Sequence, residues 1–564
     1  MTDPRPARRV DAIADQFVAD YAALDPIAAT YFGISGHDDQ LTDLSPGGFD
    51  ARRELLVRAL GRMQATEPVD ELEVAAKASF VERQTVALEQ YAAGTPQSQI
   101  NVVTSGLHSI RSIFDLMSTD GEQAWTAIDT RLAHIPATVE GYQHTLSRAA
   151  DEGHVAAKRQ ISLVAEQIKA WTGQVGLGGD FFATFVGQSD GQPASLRKRL
   201  DEHAAQSSAA FADFGRFLSE ELLPRGRDED AVGRDAYVPE SRSFLGALID
   251  LDETYAWGWD ELARIEDEMA RVADKIQPGA TVDEAVAVLD ADPARRIESK
   301  EVFRDWMQLL ADRTVAEMAG THFDIPGPVR RIECCLAPTH DGGIYYTGPS
   351  EDFERPGRMW WAVPDDQMSF STWREVTTVY HEGVPGHHLQ VAQTAYRSEL
   401  LNRWQRTMCW VSGHGEGWAL YAERLMDDLG YLDDPGDKLG MLDGQGMRAA
   451  RVIIDIGMHL GLDIPRDNPF GFHPGEKWTA ELCLEFLRQH CRMDDAIVQY
   501  EVNRYLGWPG QAPSYKVGER IWLQARDEVR ERKGAAFDLK DFHRHALDLG
   551  SLGLDPLRAA LARL

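Results

Sequence analysis

The chain has 564 residues, of which 43% are hydrophobic and 26% charged, and its formal net charge is −32. This composition is that of a globular protein, and the length is too great for one ordinary hydrophobic core. The strong negative charge argues against nucleic acid and anionic membrane surfaces as partners, because each phosphate contact needs a lysine or an arginine.

The N-terminal segment predicts neither a secretory leader nor a membrane span. Residues 1–5 lead directly into an amphipathic stretch, and nowhere does the sequence hold about 18 consecutive apolar residues. The five cysteines form no C-x-x-C pair and are too few for a disulfide framework in a chain of this length. We therefore expect a cytoplasmic protein that does not associate with membranes.

Helical periodicity dominates the first 320 residues. Near the N-terminus, the apolar side chains of Val10, Ile13 and Phe17 recur at three- and four-residue intervals. The same pattern predicts helices over residues 51–65, 70–93, 122–173, 194–222 and 241–273. We interpret residues 1–320 as an N-terminal helical region.

Residues 323–364 differ from this pattern. Prolines and glycines punctuate them, and the runs 344–348 and 358–363 are rich in aromatic and β-branched residues, which predicts a small sheet. An edge strand beside a metal site could hold an extended peptide by backbone pairing, and an ordinary structural hairpin is the alternative. His340, Tyr345 and Tyr346 are candidate substrate-lining residues in this region.

Helices resume after the predicted sheet. Thr372 and Glu375 fit a capping box with Thr372 as the N-cap, so a helix begins there and carries His381 and Glu382 on about its third turn. Later helices are predicted over residues 389–408, 414–429, 440–461, 475–503 and 516–534.

The segment from His381 to His388 reads H-E-G-V-P-G-H-H, which resembles the zinc-hydrolase signature H-E-x-x-H with two residues added before the second histidine. Side chains four residues apart share one helix face, so both imidazoles of that signature reach one zinc ion. In an unbroken helix His387 would point about 120° away from His381, and His388 would lie about 10 Å further along the axis. Pro385 and Gly386 can distort the helix, and a bulge there brings His387 to the second ligand position.

The H-E-x-x-P-G-H motif and the segment G-E-G-W-A-L-Y-A-E at residues 415–423 resemble the large bacterial family of domain of unknown function number eight-eight-five. The resemblance extends over most of the chain and is sharpest over residues 340–520. It implies a zinc peptidase of the Glu-zincin kind, with His387 as the second ligand and His388 behind it or facing the substrate.

The G-E-G-W-A segment also resembles the N-E-G-F-A segment of zinc aminopeptidases, which implies that Glu416 is the third metal ligand. Glu423 lies two helical turns later and either orients a ligand histidine by a hydrogen bond or is solvated. Glu382, next to the first ligand, is the expected general base and then general acid. Zinc is the expected cofactor, although cobalt and manganese suit the same ligands. The alternative is a Pro-Gly helix end with capping histidines.

Two clusters further along the chain are candidates for substrate binding. Arg448, Arg451 and His459 recur at helical spacing with Asp455, in a segment that also belongs to the resemblance. We predict that an arginine here binds a substrate carboxylate, with His388 and His459 as further substrate-binding residues. An ion pair between Arg451 and Asp455 is the alternative.

The second cluster, residues 504–516, contains a P-G-Q-A-P-S-Y-K segment that matches the family pattern. Tyrosine hydroxyls are suitable donors to the oxyanion of a peptide transition state. Tyr515 is the preferred candidate and Tyr505 the second, and both are alternatively packed core residues.

Taken together, these patterns predict a mainly α fold, with two helical lobes around a deep cleft and a small β-sheet near the active site. Residues 321–564 form the metal-binding catalytic region. The predicted function is zinc-dependent hydrolysis of amide bonds in short peptides or peptide-like metabolites. A metal-dependent hydrolase of a non-peptide amide or ester, and a non-catalytic peptide-binding protein, are the alternatives. The oligomeric state, endo- or exopeptidase action and, from spacing alone, the choice between His387 and His388 stay open.

Overall fold

Helices account for most of the chain. The computed structural model describes residues 8–176, 178–337, 343–364 and 366–564, and the statements below refer to these ranges. The predicted mainly α fold with small sheets is confirmed. No helix in these ranges combines the length and the apolar character that a membrane span needs.

Fourteen α-helices precede the main sheet in the described ranges: α1 (Arg9–Leu24), α2 (Pro26–Tyr31), α3 (Pro46–Gln64), α4 (Glu71–Ala92), α5 (Thr95–Ser98), α6 (Gly106–Leu116), α7 (Gly121–Asp151), α8 (Lys158–Trp171), α9 (Phe181–Val186), α10 (Ala194–Phe217), α11 (Arg234–Leu245), α12 (Leu251–Ile276), α13 (Val282–Ala291) and α14 (Lys300–Met318). Short π or 3₁₀ turns lie at Leu218–Leu222, Leu223–Arg225, Pro293–Arg295, Gly327–Arg330 and Gly534–Ala536.

Ten more α-helices follow the main sheet in those ranges: α15 (Thr372–Glu382), α16 (His387–Tyr396), α17 (Arg403–Thr407), α18 (Ser412–Asp428), α19 (Pro435–Leu460), α20 (Ala480–His490), α21 (Asp495–Gly507), α22 (Ser514–Lys533), α23 (Leu539–Asp548) and α24 (Leu554–Leu561).

Several predicted helices are pairs of shorter ones. The predicted helix 122–173 is α7 and α8, 389–408 covers α17 and most of α16, and 475–503 covers α20 and most of α21. After α7 the backbone turns at Gly153, whose φ of 88° is one that other residues rarely adopt. Apolar periodicity did not reveal these short connections, because it continues on the helices at either side.

The main sheet has the strand order β2 (Ile332–Leu336), β4 (Gly357–Trp361), β3 (Ile344–Thr347). Strand β4 runs parallel to β2 and antiparallel to β3, with Met359 opposite Cys334 on one side and Tyr346 on the other. The predicted small sheet is therefore confirmed. The two-residue strands β1 (Arg296–Ile297) and β5 (Phe370–Ser371) form an antiparallel pair that is too short to leave a sequence pattern.

Helix α15 begins at Thr372, but the predicted capping box is wrong. Ser371 is the N-cap and no side chain caps the helix. The Thr372 hydroxyl instead donates to the Arg295 carbonyl oxygen at 3.2 Å, and the Glu375 carboxylate accepts from Trp361 Nε1 at 3.1 Å. Contacts with the turn before β1 and with β4 thus engage both side chains and fix α15 against its surroundings.

The largest hydrophobic core lies between α12, α15, α18, α19 and α22, and its buried residues range from Tyr237 to Leu561. A second core lies within residues 27–222, and a third joins α1, α3 and α4 to Trp404. Helices on both sides of residue 320 share the largest core. A hydrophobic core need not coincide with a domain, so the division into 1–320 and 321–564 and the cleft between two lobes stay predictions.

Candidate metal centre

The predicted break in the H-E-G-V-P-G-H-H segment is present. The chain leaves α15 at residue 382 and begins α16 at residue 387. Between the helices, the Gly386 amide donates to the Tyr380 carbonyl oxygen at 3.0 Å, so the connection folds back onto the end of α15. A Cβ atom at Gly386 would lie 1.9 Å from the carbonyl oxygen of His381, so only glycine fits this close approach.

The tryptophan of the G-E-G-W motif holds this connection in place. Trp418 of α18 is fully buried, and its Nε1 donates to the carbonyl oxygens of Pro385 at 2.9 Å and Gly386 at 3.3 Å. The two sequence motifs are therefore one structural unit, since α18 both fixes the break and carries Glu416.

The two predicted histidine ligands and Glu416 converge. Glu416 Oε2 lies 3.4 Å from His381 Nε2 and 3.3 Å from His387 Nε2. The two imidazole rings stand almost perpendicular, with centroids 4.8 Å apart. A tetrahedral zinc ion with bonds of about 2.0–2.1 Å holds its ligand atoms about 3.3 Å apart. The spacing and donor types of these three groups therefore fit a zinc ion.

The ionisable side chains of this cluster shift one another's pKa values. Burial disfavours a charged imidazole, but hydrogen bonds to Glu416 and Glu423 raise the pKa of His381 to about 9. Burial would raise the pKa of Glu416, yet the neighbouring His387 and His381 hold it well below its usual range. Glu416 is therefore ionised between the two imidazoles, and a metal ion would bind there by displacing a proton from the cluster.

Glu423 is a buried partner of the first ligand. It is 1% exposed, and its Oε1 lies 2.7 Å from Nδ1 of His381. The Thr377 hydroxyl donates to its Oε2 at 3.1 Å. The alternative of a solvated Glu423 is wrong. Because Nδ1–H donates to the carboxylate, the lone pair of His381 lies on Nε2, which faces Glu416.

Glu382 supplies a second carboxylate at the same cluster. Its ligand oxygen and those nitrogens of His381 and His387 that could bind a metal all lie within 4.8 Å of one another. Within the described ranges, buried Oε2 of Glu382 has no hydrogen-bond partner. Burial raises the pKa of Glu382, although the two imidazoles oppose this. Glu416 makes the shorter approaches to both rings, so it suits a ligand, whereas Glu382 suits a proton acceptor beside the ion.

The choice between the two consecutive histidines is clear from their contacts. Nε2 of buried His388 lies 2.7 Å from the Val329 carbonyl oxygen, and Nδ1 lies 3.0 Å from the Tyr346 hydroxyl. Burial lowers the pKa of His388 to about 4, so the ring is neutral and both nitrogens are used. His388 therefore joins α16 to β3. The predictions that it is a substrate-binding residue or the second ligand are not supported, because neither nitrogen is free.

Two further predicted residues, Arg451 and Tyr505, form a buried network with Glu501. Arg451 donates from Nη2 to Glu501 Oε2 at 2.7 Å and from Nε to the Tyr505 hydroxyl at 2.8 Å. The Tyr505 hydroxyl in turn donates to Glu501. The predicted oxyanion role of Tyr505 is therefore not supported, since its proton is taken. The alternative pairing of Arg451 with Asp455 is wrong, because Arg451 pairs with Glu501.

His459 is buried and bonded to the backbone of α21. It is 1% exposed, and its Nε2 donates to the Tyr505 carbonyl oxygen at 2.9 Å. Burial lowers the pKa of His459 to about 4. The ring ties α19 to α21, which does not support the predicted contact with substrate.

Tyr515 reaches the site because α18 and α22 cross closely. A Cβ atom at Gly417 would lie 2.4 Å from the backbone carbon of Gly518, so glycines permit the crossing. The Tyr515 ring packs under Arg451, whose guanidinium carbon lies 4.9 Å from the ring centroid. Among the described residues, none lies in hydrogen-bonding position to the Tyr515 hydroxyl. Burial raises the pKa of Tyr515 and nearby Glu416 adds to this, so the phenol keeps its proton.

A family model of bacterial proteins of unknown function, DUF885, matches residues 26–561. The chain belongs to the DUF885 family. No curated protein is significantly similar to it in sequence.

Two solved structures share the fold of this DUF885 chain. One is described as a "putative lipoprotein" from Colwellia psychrerythraea; it has 22% sequence identity and a TM-score of 0.84 over 98% of both chains. The other is described as a "putative lipoprotein of unknown function" from Shewanella oneidensis; it has 17% identity and a TM-score of 0.72 over 97% of this chain and 98% of its own. These descriptions contradict the predicted cytoplasmic location, because lipoproteins are attached to membranes; that prediction is wrong.

Sequence reasoning missed one residue at the site of this DUF885 chain. Trp410 precedes α18, is 50% exposed and lies beside His387, with ring centroids 6.0 Å apart. A Cβ atom at Gly415 would lie 2.3 Å from the Trp410 ring, which explains the first glycine of G-E-G-W. Of the candidate lining residues, Tyr345 is exposed on β3, and His340 lies outside the described residues.

Proposed function

We propose that this DUF885 protein is a zinc-dependent hydrolase that cleaves amide bonds of short peptides or peptide-like metabolites. The observation that carries the proposal is the spacing of 3.3 and 3.4 Å between Glu416 Oε2 and the two imidazole Nε2 atoms. His381, His387 and Glu416 would hold the ion. A zinc ion in such a set acts as a Lewis acid and makes water a nucleophile near neutral pH.

Glu382 is the proton carrier in this proposal. Its Oε2 is buried and, among the described residues, without a partner, so it is available to accept a proton from the attacking water. The same atom returns the proton to the leaving amine. Its pKa, which burial raises, suits both steps better than that of an exposed carboxylate. A protein that binds peptides without cleaving them would not require this carboxylate.

Tyr515 is the proposed donor to the developing oxyanion. Its hydroxyl is protonated and, within the described ranges, unengaged, and the charge of Glu416 acts on it. The half-exposed Trp410 ring offers an apolar surface beside His387 for a substrate side chain.

The main sheet supports an extended substrate. Strand β3 pairs with β4 and lies at the edge of the described sheet. Its Tyr346 side chain reaches His388, the residue after ligand His387, so the strand lies next to the site. Backbone groups of an extended peptide could pair with such an edge.

The experiment combines metal analysis with hydrolysis of a dipeptide and tripeptide library. The purified protein should contain about one zinc ion per chain and hydrolyse part of the library. Glu382→Gln should keep the metal and lose turnover by at least about 100-fold. Glu375→Gln is the matched control, because Glu375 lies two turns earlier on α15 and contacts Trp361; it should keep both properties.

Three other results would contradict parts of this proposal. Full turnover in Glu382→Gln would contradict the assigned base. Hydrolysis of esters or non-peptide amides, without any peptide hydrolysis, would support the metal centre and contradict the peptide substrate. Metal without turnover on any panel would indicate a binding protein.

A further inference from the structure

Arg448 is a mostly buried cation that makes no hydrogen bond with the part of the chain that the structure describes. Its side chain is 17% exposed and lies on α19 beside the metal centre. The nearest acceptor is Glu423 Oε1, 3.8 Å from Nη2, which is beyond hydrogen-bonding distance. Among the described residues no acceptor is bonded to any of its nitrogens, and its Nε is buried. A guanidinium that is held this way is ready for an anionic ligand.

Room for this guanidinium is provided by a glycine one turn earlier. A Cβ atom at Gly444 would lie 2.7 Å from Arg448 Nη1. The side chain therefore folds back along α19 instead of extending into solvent. Its position is set by the helix that carries it.

Two more arginines add positive charge next to it. Arg451 and Arg504 share the single carboxylate of Glu501, with nitrogen–oxygen distances of 2.7 and 2.9 Å. The Tyr515 ring packs against Arg451, and all three arginines act on the Tyr515 hydroxyl. The three guanidinium groups of Arg448, Arg451 and Arg504 face two carboxylates, Glu423 and Glu501, so this group of five side chains carries one positive charge in excess. The chain as a whole is strongly acidic.

Resting on the proposed hydrolase function, we propose that Arg448 binds the C-terminal carboxylate of the substrate and that the enzyme is a carboxypeptidase. A carboxylate matches the planar guanidinium with two parallel hydrogen bonds. Glu423 Oε1 lies 3.8 Å from Arg448 Nη2 and 2.7 Å from Nδ1 of His381, so a carboxylate bound by Arg448 would lie within one or two peptide residues of the metal centre. The bond that breaks is then the last or the second-last peptide bond of the substrate.

The test measures binding separately from turnover. A set of tripeptides with free C-terminal carboxylates is mixed with the same tripeptides as C-terminal amides and incubated with zinc-loaded Glu382→Gln protein. The peptides retained after ultrafiltration are quantified by mass spectrometry. The acids should be retained at least about tenfold over the amides, which is the effect of one charge-assisted hydrogen-bonded pair.

Variants of Arg448 in the Glu382→Gln protein test whether this arginine binds the carboxylate. Arg448→Gln should reduce the ratio of acids to amides to about one, and Arg448→Lys should leave an intermediate ratio, because the charge remains and the paired geometry is lost. Arg488→Gln is the matched control, since Arg488 forms an exposed ion pair with Asp495; it should keep the full preference. Zinc content and melting temperature are recorded for every variant.

The outcomes separate this inference from the proposed function. Equal retention of acids and amides, or no retention of either, overturns the carboxylate site. Preferential binding of acids by a wild-type protein that hydrolyses no peptide supports the site and refutes the hydrolase. Equal hydrolysis of acids and amides by the wild type refutes the inference and leaves the hydrolase in place.

Discussion

Glu423 of α18 accepts a hydrogen bond from Nδ1 of His381 on α15 at 2.7 Å. This contact fixes the tautomer of the imidazole and increases its basicity at Nε2, where the metal would bind. Glu423→Gln should therefore weaken zinc binding by about 10- to 100-fold while the fold is retained. Competition with a chromophoric chelator measures the affinity.

A matched control for this variant is available on the surface. Glu476 also contacts a histidine, His473 Nδ1, at 3.1 Å, but the pair is exposed and remote in sequence from the motifs. Glu476→Gln should leave zinc affinity unchanged. If Glu423→Gln binds zinc as tightly as the wild type, the orienting role is refuted.

Gly386→Ala should destroy the centre through the backbone. The added Cβ would lie 1.9 Å from the His381 carbonyl oxygen, and backbone cannot move away as a flexible side chain can. We expect loss of zinc binding and a loss of several degrees in melting temperature. Gly61→Ala is the control, because Gly61 lies within α3, where an added methyl group would have no neighbour within 4 Å, and alanine is the better helix former.

Substitution of the two consecutive histidines should give opposite results for metal content. His387→Gln should lose zinc, because it removes one of the three converging donors. His388→Gln should keep zinc and lose about 1–3 kcal/mol of unfolding free energy, because it disturbs the contacts to Tyr346 and Val329. Metal analysis measures the zinc content of each variant, and denaturant unfolding measures its unfolding free energy. Loss of zinc from His388→Gln alone would reverse the assignment.

The buried carboxyl of Asp455 makes stability depend on pH. Burial raises its pKa from 3.8 to about 7, although the Tyr237 hydroxyl donates to it at 2.6 Å and Gly510 and Arg504 also oppose the shift. The folded state binds this proton more tightly than the unfolded state. The stability that the group contributes is therefore full below about pH 4 and is lost as the pH rises to about 7.

Asp455→Asn removes this dependence. Between pH 5 and 7 the variant should gain about 1 kcal/mol of stability per pH unit relative to the wild type, measured by urea unfolding. Asp228→Asn is the control, because Asp228 is exposed and pairs with Lys158. Parallel stability curves for wild type and Asp455→Asn would contradict the raised pKa.

Features that depend on residues close together in the sequence were predicted best. Helix periodicity predicted most helices, and the motifs brought together His381, His387 and Glu416, because each motif is local and the α15–α16 break is encoded by Pro385 and Gly386. The hydrogen-bond partners of the site residues come from distant parts of the sequence and could not be predicted. Tyr505 and Tyr515 look alike in sequence, and only the packing of Arg451 against Glu501 shows which hydroxyl is engaged.

Contacts between distant segments explain the other differences. The Thr372 and Glu375 side chains fit a capping box, but the Arg295 carbonyl oxygen takes the first and Trp361 of β4 takes the second. The three glycines 413, 417 and 518 gave no signal by themselves. Their role appears only when α18 and α22 cross and bring Tyr515 towards Glu416.

The most direct measurement is the anomalous diffraction of crystals of the zinc-loaded protein, recorded on both sides of the zinc absorption edge. We expect one strong peak bonded to Nε2 of His381, Nε2 of His387 and a carboxylate oxygen of Glu416, at about 2.0–2.2 Å from each. A peak elsewhere, or no peak while these three side chains still face one another, would contradict the proposed metal centre.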